Sequence, residues 1–251
     1  MSKNIIIGNW KMNPVSVTLA SKIISDTQKL LKSTPAEVVI AAPYPFMHLL
    51  GAKSRSKIKL AAEDVSVEKK VGAFTGEVSA EMLKSMGASY CIVGHSERRA
   101  RGEAAGMVAT KASNLLAAKI SPIICIGEKE RREGGEHWQV ISDELRASLA
   151  GISRAQASNC IIAYEPIWAV GKNSKGVMEP DAISESAIFI KKILAEMFGT
   201  NIAAKIRIIY GGSVDAKSAE GIALATGVSG VLVGRASLAP AQFAKIIGSF
   251  S

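Results

Sequence analysis

The sequence has few of the features that mark secreted or membrane proteins. It contains only three cysteines, Cys91, Cys125 and Cys160, whose odd number and spacing fit neither a disulfide framework nor a zinc site. Each lies in an apolar run, which predicts buried, reduced thiols and a cytoplasmic location. No apolar run approaches the roughly 20 residues that span a bilayer, and the first one is too short for a signal peptide. We therefore expect a soluble protein with no membrane partner.

Aromatic residues are also scarce, at 5% of the 251 residues, although the chain carries a net charge of +9. A basic balance is compatible with a nucleic-acid surface, with a site for small anions, or with a solvated surface that has no partner. No run of five consecutive Lys or Arg residues occurs, and few aromatic rings are present to stack on bases. The composition therefore argues against a nucleic-acid partner and favours a basic surface, while an anion site stays open.

Eight short apolar runs, most of them rich in β-branched residues, recur along the chain. They lie at 5–7, 38–42, 58–62, 90–93, 123–126, 160–163, 206–210 and 231–233. Continuous apolar runs are typical of strands buried on both faces of a parallel sheet. Amphipathic segments of helix length, such as 16–32 and 182–198, separate them. This alternation predicts one domain over residues 1–251 with an α/β fold, a closed (β/α)8 barrel, and an open doubly wound sheet is the alternative.

Titratable residues follow three of these runs, at the strand ends where barrels carry their chemistry. Glu165 follows the sixth run, and burial there would make its carboxylate a stronger base, whereas a surface glutamate would only pair with a lysine. His95 follows the fourth run; a helix beginning directly after it would favour a neutral ring that donates a hydrogen bond, unless the ring is a satisfied core histidine. Lys11 follows the first run and supplies a positive charge, unless it is solvated. His48 and His137 are interpreted as satisfied core histidines.

Glycine-rich turns follow the last two runs. Gly-Gly-Ser stands at 211–213 and Gly-Arg-Ala-Ser at 234–237, whereas no Gly-x-Gly-x-x-Gly motif for a dinucleotide follows the first run. Backbone N–H groups in such turns can reach an anion, and the seventh and eighth loops of a barrel often form a phosphate site, although glycines also simply make tight turns. A base, a neutral donor, a cation and a phosphate cradle together suit proton abstraction next to the carbonyl of a small phosphorylated substrate.

The same residues fall in motifs that resemble the triosephosphate isomerase family along essentially the whole chain. The motifs are Gly-Asn-Trp-Lys-Met-Asn at 8–13, Gly-Ala-Phe-Thr-Gly-Glu at 72–77, Val-Gly-His-Ser-Glu-Arg-Arg at 93–99, Cys-Ile-Gly-Glu at 125–128, Ala-Tyr-Glu-Pro-Ile-Trp-Ala-Val-Gly at 163–171 and Ile-Tyr-Gly-Gly-Ser-Val at 209–214. The resemblance implies an isomerase of glycolysis and gluconeogenesis that interconverts dihydroxyacetone phosphate and D-glyceraldehyde 3-phosphate through an enediolate, without metal or cofactor.

The resemblance also implies a role for each catalytic residue. Glu165 takes a proton from one substrate carbon and returns it to the neighbouring carbon. His95 and Lys11 stabilise the enediolate, Glu97 pairs with Lys11, and Asn9 helps to place the substrate oxygens. A glutamate base opposite a neutral histidine is the established pattern of the family.

Phosphate binding and assembly are likewise implied by the resemblance. The phosphate is bound by the backbone N–H groups of Gly171, Ser213, Gly234 and Arg235, and by the hydroxyl group of Ser213. Thr75 corresponds to the residue that reaches into a neighbouring subunit, which implies a homodimer. The segment 166–176 corresponds to a lid that closes over the substrate and excludes water.

Four departures from the family pattern bear on function. The stretch from Glu165 to Pro180 is two residues longer than usual, so the second lid hinge is altered. We expect the lid still to close. The alternative is a catalytically weakened barrel that acts as a binding or moonlighting protein. Arg235 replaces a frequent glycine and can still present its N–H group if positive φ is not required. The loop at 100–103 is one residue shorter. Glu63 replaces an amide, and its ionisation would be costly if it is buried at a dimer interface.

Overall fold

Eight parallel strands form a closed barrel, in which the first strand pairs with both the second and the eighth. This computed structural model describes residues 3–31, 34–51, 56–131, 134–169 and 178–251. The strands are β1 (Ile5–Asn9), β2 (Glu37–Ala42), β3 (Lys59–Ala62), β4 (Tyr90–Val93), β5 (Ser121–Ile126), β6 (Ile161–Tyr164), β7 (Arg207–Tyr210) and β8 (Gly230–Val233). All eight coincide with the predicted apolar runs. The (β/α)8 barrel is therefore confirmed, and the open-sheet alternative is wrong.

Helices connect the strands on the outside of the barrel. They are α1 (Val17–Leu30), α2 (Ala80–Ser85), α3 (Ser96–Arg99), α4 (Ala105–Ala117), α5 (Glu136–Ser148), α6 (Arg154–Ala157), α7 (Pro180–Phe198), α8 (Thr200–Ala203), α9 (Ala219–Ala223) and α10 (Pro240–Ser249). Short 3₁₀ helices occupy Tyr44–Leu49, Ile167–Ala169 and Arg235–Leu238. The two helices predicted at 16–32 and 182–198 are present. The hydroxyl of Ser16 caps α1, and a proline, which needs no N–H partner in the first turn, begins α7.

The strands bury side chains on both faces, as their continuous apolar runs predict. One apolar group fills the barrel interior and consists of Ile5, Ile7, Val39, Ala41, Ala61, Tyr90, Ile92, Ile123, Cys125, Ile161, Ala163, Ile209 and Leu232. The alternate residues of the same strands pack against the surrounding helices. All three cysteines are buried free thiols. Among the described residues, no helix has both the length and the apolar character that a membrane crossing requires.

A charged network joins the first residues of four strands at the amino end of the barrel. Glu37 accepts hydrogen bonds from Lys59, from the Tyr90 hydroxyl at 2.7 Å and from Arg207 Nη1 at 2.9 Å. Burial acts to raise the pKa of Glu37, but these three donors outweigh it and lower the pKa to about 2. The carboxylate at this end is therefore ionised and fully engaged, because its neighbours bond the charged form.

Candidate active site

A cavity of about 900 Å³ lies at the carboxyl end of the barrel strands. This cavity is lined by every described residue that we expect to act in catalysis or to bind the substrate. These residues are Asn9, Lys11, His95, Glu97, Glu165, Ser213, Gly234 and Arg235. They follow β1, β4, β6, β7 and β8, which are far apart in sequence. The barrel brings them together because the carboxyl ends of parallel strands meet at one end of the fold. Gly171 lies outside the described residues.

Glu165 directly follows β6, and only 2% of its surface is exposed. Its Oε1 lies 3.4 Å from Nε2 of His95, and its Oε2 accepts a hydrogen bond of 3.4 Å from the backbone N–H of Ser96. Both contacts are long for hydrogen bonds to an ionised group. The alternative of a surface glutamate is wrong. The carboxylate is enclosed and loosely held, so it is free to take up a proton from a ligand in the cavity.

Three residues around Glu165 restrict its position. A Cβ atom at Gly211 would lie 2.8 Å from the Glu165 Cγ, and one at Gly127 would lie 1.9 Å from the Glu165 carbonyl oxygen. The Cys125 thiol is hydrogen-bonded to the Glu165 side chain, and burial, followed by the charge of Glu165 and this hydrogen bond, raises the pKa of the thiol. From the sequence, Gly211 is expected only in a turn, Gly127 only in a motif, and Cys125 only as a buried thiol. Gly127 and Gly211 follow β5 and β7, the two strands that flank β6, and this placement is the sequence signal for their contact with Glu165.

The ring of His95 is oriented by the helix that follows it. His95 is the N-cap of α3, and its Nδ1 accepts a hydrogen bond of 3.2 Å from the backbone N–H of Glu97. A ring nitrogen that accepts a hydrogen bond carries no proton, so the hydrogen of the neutral ring is on Nε2, the nitrogen that faces Glu165. The helix expected directly after His95 is present, and the ring lies in the cavity rather than in the core.

Lys11 stands at the end of β1 in an uncommon backbone conformation, with φ of 55°. Its backbone N–H donates to Oδ1 of Asn9 at 3.1 Å, and its Nζ lies 2.7 Å from Oε1 of Glu97. Burial acts to raise the pKa of Glu97, but the hydrogen bond from Lys11 outweighs it and lowers that pKa. A Cβ at Gly234 would lie 3.8 Å from the Lys11 Cε. The lysine thus extends between the Glu97 carboxylate and the glycine turn after β8.

The serine hydrogen-bond donors of the two glycine turns have different acceptors. The N–H and the hydroxyl of Ser213 both donate to the carbonyl oxygen of Ala169, at 3.0 and 2.7 Å. After β8, the N–H and hydroxyl of Ser237 donate to the Gly234 carbonyl and fix that turn. Among the described non-glycine residues only Lys11 and Lys119 have positive φ. The backbone condition for Arg235 to present its N–H is therefore met.

The first lid hinge, Pro166–Trp168, is hydrogen-bonded to a buried carboxylate. Glu128, at the end of β5, accepts hydrogen bonds from Trp168 Nε1 at 3.0 Å, from the Tyr164 hydroxyl at 2.9 Å and from Arg131 Nε at 3.0 Å. The network fixes the start of the 3₁₀ helix Ile167–Ala169 on the barrel. The altered stretch of the lid, at 172–177, lies outside the described residues.

Three other residues were singled out from the sequence. Burial raises the pKa of Glu63 to about 8, although a hydrogen bond with the Lys11 backbone acts to lower it, and Oε1 of Glu63 is buried without a hydrogen-bond partner among the described residues. His48 is exposed, and both ring nitrogens of His137 are buried without partners among the described residues, so the structure does not show either as a satisfied core histidine. His137 instead stacks on Trp138, with ring centroids 4.4 Å apart. In the described ranges no group of three or more His, Cys, Asp or Glu residues could hold a metal ion.

A closed (β/α)8 barrel with a buried glutamate, a histidine and a lysine around one cavity at the carboxyl ends of its strands defines the class of (β/α)8-barrel enzymes, whose active sites lie at that end. Comparison with known proteins gives the family. The model of the triosephosphate isomerase family matches residues 4–250, and the chain belongs to this family.

Several curated relatives are similar over almost their whole length. Triosephosphate isomerase from Rhodopirellula baltica is 40% identical over 251 residues, which cover 98% of each chain. The enzyme of the same name from Citrifermentans bemidjiense is 39% identical over 251 residues, again 98% of each chain. That from Clostridium beijerinckii is 38% identical over 250 residues, covering 98% of this chain and 99% of the relative. The resemblance of the motifs is therefore confirmed over the full fold.

Proposed function

We propose that this protein interconverts dihydroxyacetone phosphate and D-glyceraldehyde 3-phosphate, as a glycolytic and gluconeogenic isomerase in the cytoplasm. Family membership supports the reaction, and the free buried thiols support the location. The observation that carries the proposal is the placement of Glu165, which is buried at the cavity with its Oε1 3.4 Å from Nε2 of His95. A base in this position can approach a substrate carbon from an environment that excludes most water.

The proposed reaction is a proton transfer between adjacent carbons. Glu165 removes a proton from the carbon next to the substrate carbonyl, and the C–H electron pair becomes the double bond of an enediolate. His95, with its hydrogen on Nε2, donates to the substrate oxygens, and Lys11 compensates the negative charge that develops on them. Asn9 helps to place the oxygens, and Glu97 holds the Lys11 ammonium group at 2.7 Å. His95 passes the hydroxyl proton from one substrate oxygen to the other, and Glu165 returns its proton to the neighbouring carbon, so carbonyl and hydroxyl exchange places and the reaction needs no net proton.

The proposed phosphate site is formed by backbone N–H groups of Ser213, Gly234 and Arg235, together with Gly171 beyond the described residues. Its support is the convergence of the two turns after β7 and β8 on one cavity. The donors of Ser213 now bond the Ala169 carbonyl, so a phosphate that takes them exchanges one oxygen acceptor for another. Closure of the lid from its first hinge, Pro166–Trp168, would exclude water from the enediolate.

The proposed assembly is a homodimer through the loop that contains Thr75. This residue is exposed, and exposed apolar side chains of Phe74, Val71 and Met12 lie on the same loop and on the loop after β1. A second copy of the chain would remove these side chains from water. A single domain over residues 1–251 and the absence of a nucleic-acid partner remain predictions.

The test is turnover of D-glyceraldehyde 3-phosphate in a coupled assay by wild type and by Glu165→Gln. We expect kcat of the variant to fall by about 10³-fold or more, because the amide cannot accept the proton. Glu220→Gln changes the same charge on the exposed face of α9 and should leave kcat unchanged. In heavy water, wild type should also exchange the substrate C–H proton for deuterium, and the Gln variant should not.

An inactive wild type would contradict the proposal and would favour the alternative of a catalytically weakened barrel. Equal turnover by wild type and Glu165→Gln would contradict the assignment of the base while leaving the isomerase activity standing. The two failures are therefore distinguishable in one set of assays.

A further inference from the structure

The cavity extends well beyond the residues that the isomerisation uses. At about 900 Å³ it is in the size range of sites for drug-sized ligands, whereas a three-carbon phosphate is far smaller. Its inner end holds Glu165 and His95. Three exposed residues also line the cavity: Lys217 in the loop after β7, Arg235 after β8, and Lys245 on α10. We call the part of the cavity next to them its outer end.

These three cations lie on the same side of the cavity as the glycine turns. Lys217 precedes α9 by two residues, Arg235 begins the 3₁₀ helix that α10 contacts, and α9 and α10 pack against each other. All three side chains belong to exposed residues. Their shared position means that a ligand bound at the glycine turns has positive charge beyond it, toward the mouth of the cavity.

No carboxylate neutralises this group of side chains. In the part of the chain that the structure describes, Lys217, Arg235 and Lys245 form no salt bridge. Two exposed acidic residues line the cavity: Glu97, which is paired with Lys11, and Asp215, whose carboxylate accepts the backbone N–H groups of Lys217 at 2.8 Å and Ser218 at 2.9 Å. The hydrogen bond from Ser218 is the main cause that lowers the pKa of Asp215, which leaves it ionised. Three cations against one carboxylate leave the outer end positive.

We propose that Lys217, Lys245 and the guanidinium group of Arg235 form a second anion subsite at the mouth of the cavity. It would take the distal phosphate of an organic bisphosphate whose first phosphate occupies the glycine turns after β7 and β8. The inference rests on the proposed function, which places the first phosphate there. The ligand class is a short, flexible chain with a phosphate at each end, because the two groups of donors lie at successive depths of one continuous cavity. Such a compound would compete with the triose phosphate.

The subsite adds modestly to affinity, because its cations are exposed and screened by salt. We expect the second phosphate to tighten binding about tenfold at low ionic strength, and the gain to shrink as salt is added. One terminal phosphate would bind at the glycine turns and the other at Lys217, Arg235 and Lys245. The gain should therefore depend on chain length and not only on total charge.

The experiment compares matched pairs of ligands by calorimetry, which requires no turnover. Monophosphates of three-, four- and five-carbon alkanes are compared with the corresponding α,ω-bisphosphates on wild type and on Lys217→Gln/Lys245→Gln. The readout is the ratio of the two Kd values for each chain length, since this ratio cancels any change at the inner phosphate site. For wild type the ratio should reach about ten for at least one length, and in the double variant it should fall to about two.

The matched control is Lys205→Gln, which removes an exposed lysine just before β7, at the opposite end of the barrel. It should keep the wild-type ratio and wild-type turnover. A wild-type ratio near one for every chain length would overturn the subsite. An equal loss of the ratio in Lys205→Gln would also overturn it, because the effect would then come from the net charge of the whole protein. Failure of the proposed isomerase function would appear separately, as an absence of turnover in wild type.

Discussion

Glu37 at the amino end of the barrel and Glu165 at the carboxyl end differ in how fully their carboxylates are hydrogen-bonded. At the amino end, Glu37 receives three donors, of which those from Tyr90 and Arg207 lie at 2.7 and 2.9 Å. At the carboxyl end, the contacts of Glu165 with His95 and with the Ser96 N–H are both 3.4 Å long, and Oε1 of Glu63 has no hydrogen-bond partner among the described residues. Glu37 is therefore fully hydrogen-bonded, whereas Glu165 and Glu63 are not, although Glu128, also at the carboxyl end, is held by three donors as Glu37 is.

Because of this difference, Glu37 is expected to contribute to folding stability and Glu165 to catalysis, although both lie on strands of the same barrel. A fully bonded carboxylate stabilises the fold but cannot easily take up a proton, whereas a loosely bonded one costs stability and can react. The two tasks occupy opposite ends of the same strands and share no side chain. Substitutions at each end should therefore change different measured quantities.

Gly211→Ala should give the largest effect and should act on catalysis. The new methyl group would lie 2.8 Å from Cγ of Glu165 and would displace the carboxylate. A displacement near 1 Å at a reacting group lowers turnover by about 100-fold, so we expect kcat to fall by that order. Gly248→Ala is the control, since its Cβ would meet nothing within 4 Å. Unchanged kcat in Gly211→Ala would show that the position of the carboxylate is not restricted by this glycine.

Glu37→Gln should act on stability and leave kcat/KM unchanged. Its folded pKa of about 2 is below the ordinary value of 4.5, so its contribution is complete above pH 4.5 and is lost as pH falls toward 2. We expect the free energy of unfolding at pH 7 to fall by about 3 kcal/mol, and the difference from wild type to shrink below pH 4.5. Denaturant titrations at several pH values measure this, with the exposed Glu185→Gln on α7 as control. A loss that does not depend on pH would contradict the ionic explanation.

Glu63→Gln should have a smaller effect of opposite sign. The folded pKa of Glu63, about 8, is above its ordinary value of 4.5, so wild type loses stability as pH rises from 4.5 to 8. The amide removes this loss, and the variant should be more stable by about 2 kcal/mol at pH 7, or about 5 °C in Tm. The gain should increase from pH 5 to 8 and then become constant.

Thermal unfolding at two fixed protein concentrations tests this, because the Tm of a dimer depends on concentration. Glu185→Gln is again the control for the loss of one negative charge. An unchanged or lower Tm of Glu63→Gln at matched concentration would contradict the prediction. It would also remove the contrast between a satisfied and an unsatisfied carboxylate at the two ends.

The sequence was sufficient to predict the barrel and most of the site. Eight apolar runs identify eight buried strands because the two faces of a parallel barrel sheet are both covered. Glu165, His95 and Lys11 could be located because they follow such runs, and strand ends meet at one place whatever the loops do. The capping of α3 by His95 was also predictable, since a polar ring before Ser-Glu is a local signal.

Properties that depend on contacts between distant residues were not predictable in this way. The closeness of Gly211 to Glu165 depends on the packing of two strands, and the lack of a partner for His137 depends on what surrounds its ring. Nor does the sequence indicate that the donors of Ser213 bond Ala169, since the choice of acceptor depends on the position of the first lid hinge. The sequence pattern predicts the helix or strand on which a residue lies. The distances between side chains and their hydrogen-bond partners depend on three-dimensional packing.

Gly211 also has a consequence for the unfolded chain. Its backbone does not have the positive φ that favours glycine, so by conformation alone an alanine would be accepted there. A glycine at such a position leaves the unfolded chain with more conformations, which lowers folding stability by about 0.4–1 kcal/mol relative to alanine. A search for stabilising substitutions based on backbone angles alone would accept alanine here, although the space beside residue 211 is occupied by Glu165. The protein therefore retains an entropic disadvantage at residue 211 in exchange for the room that the catalytic carboxylate needs.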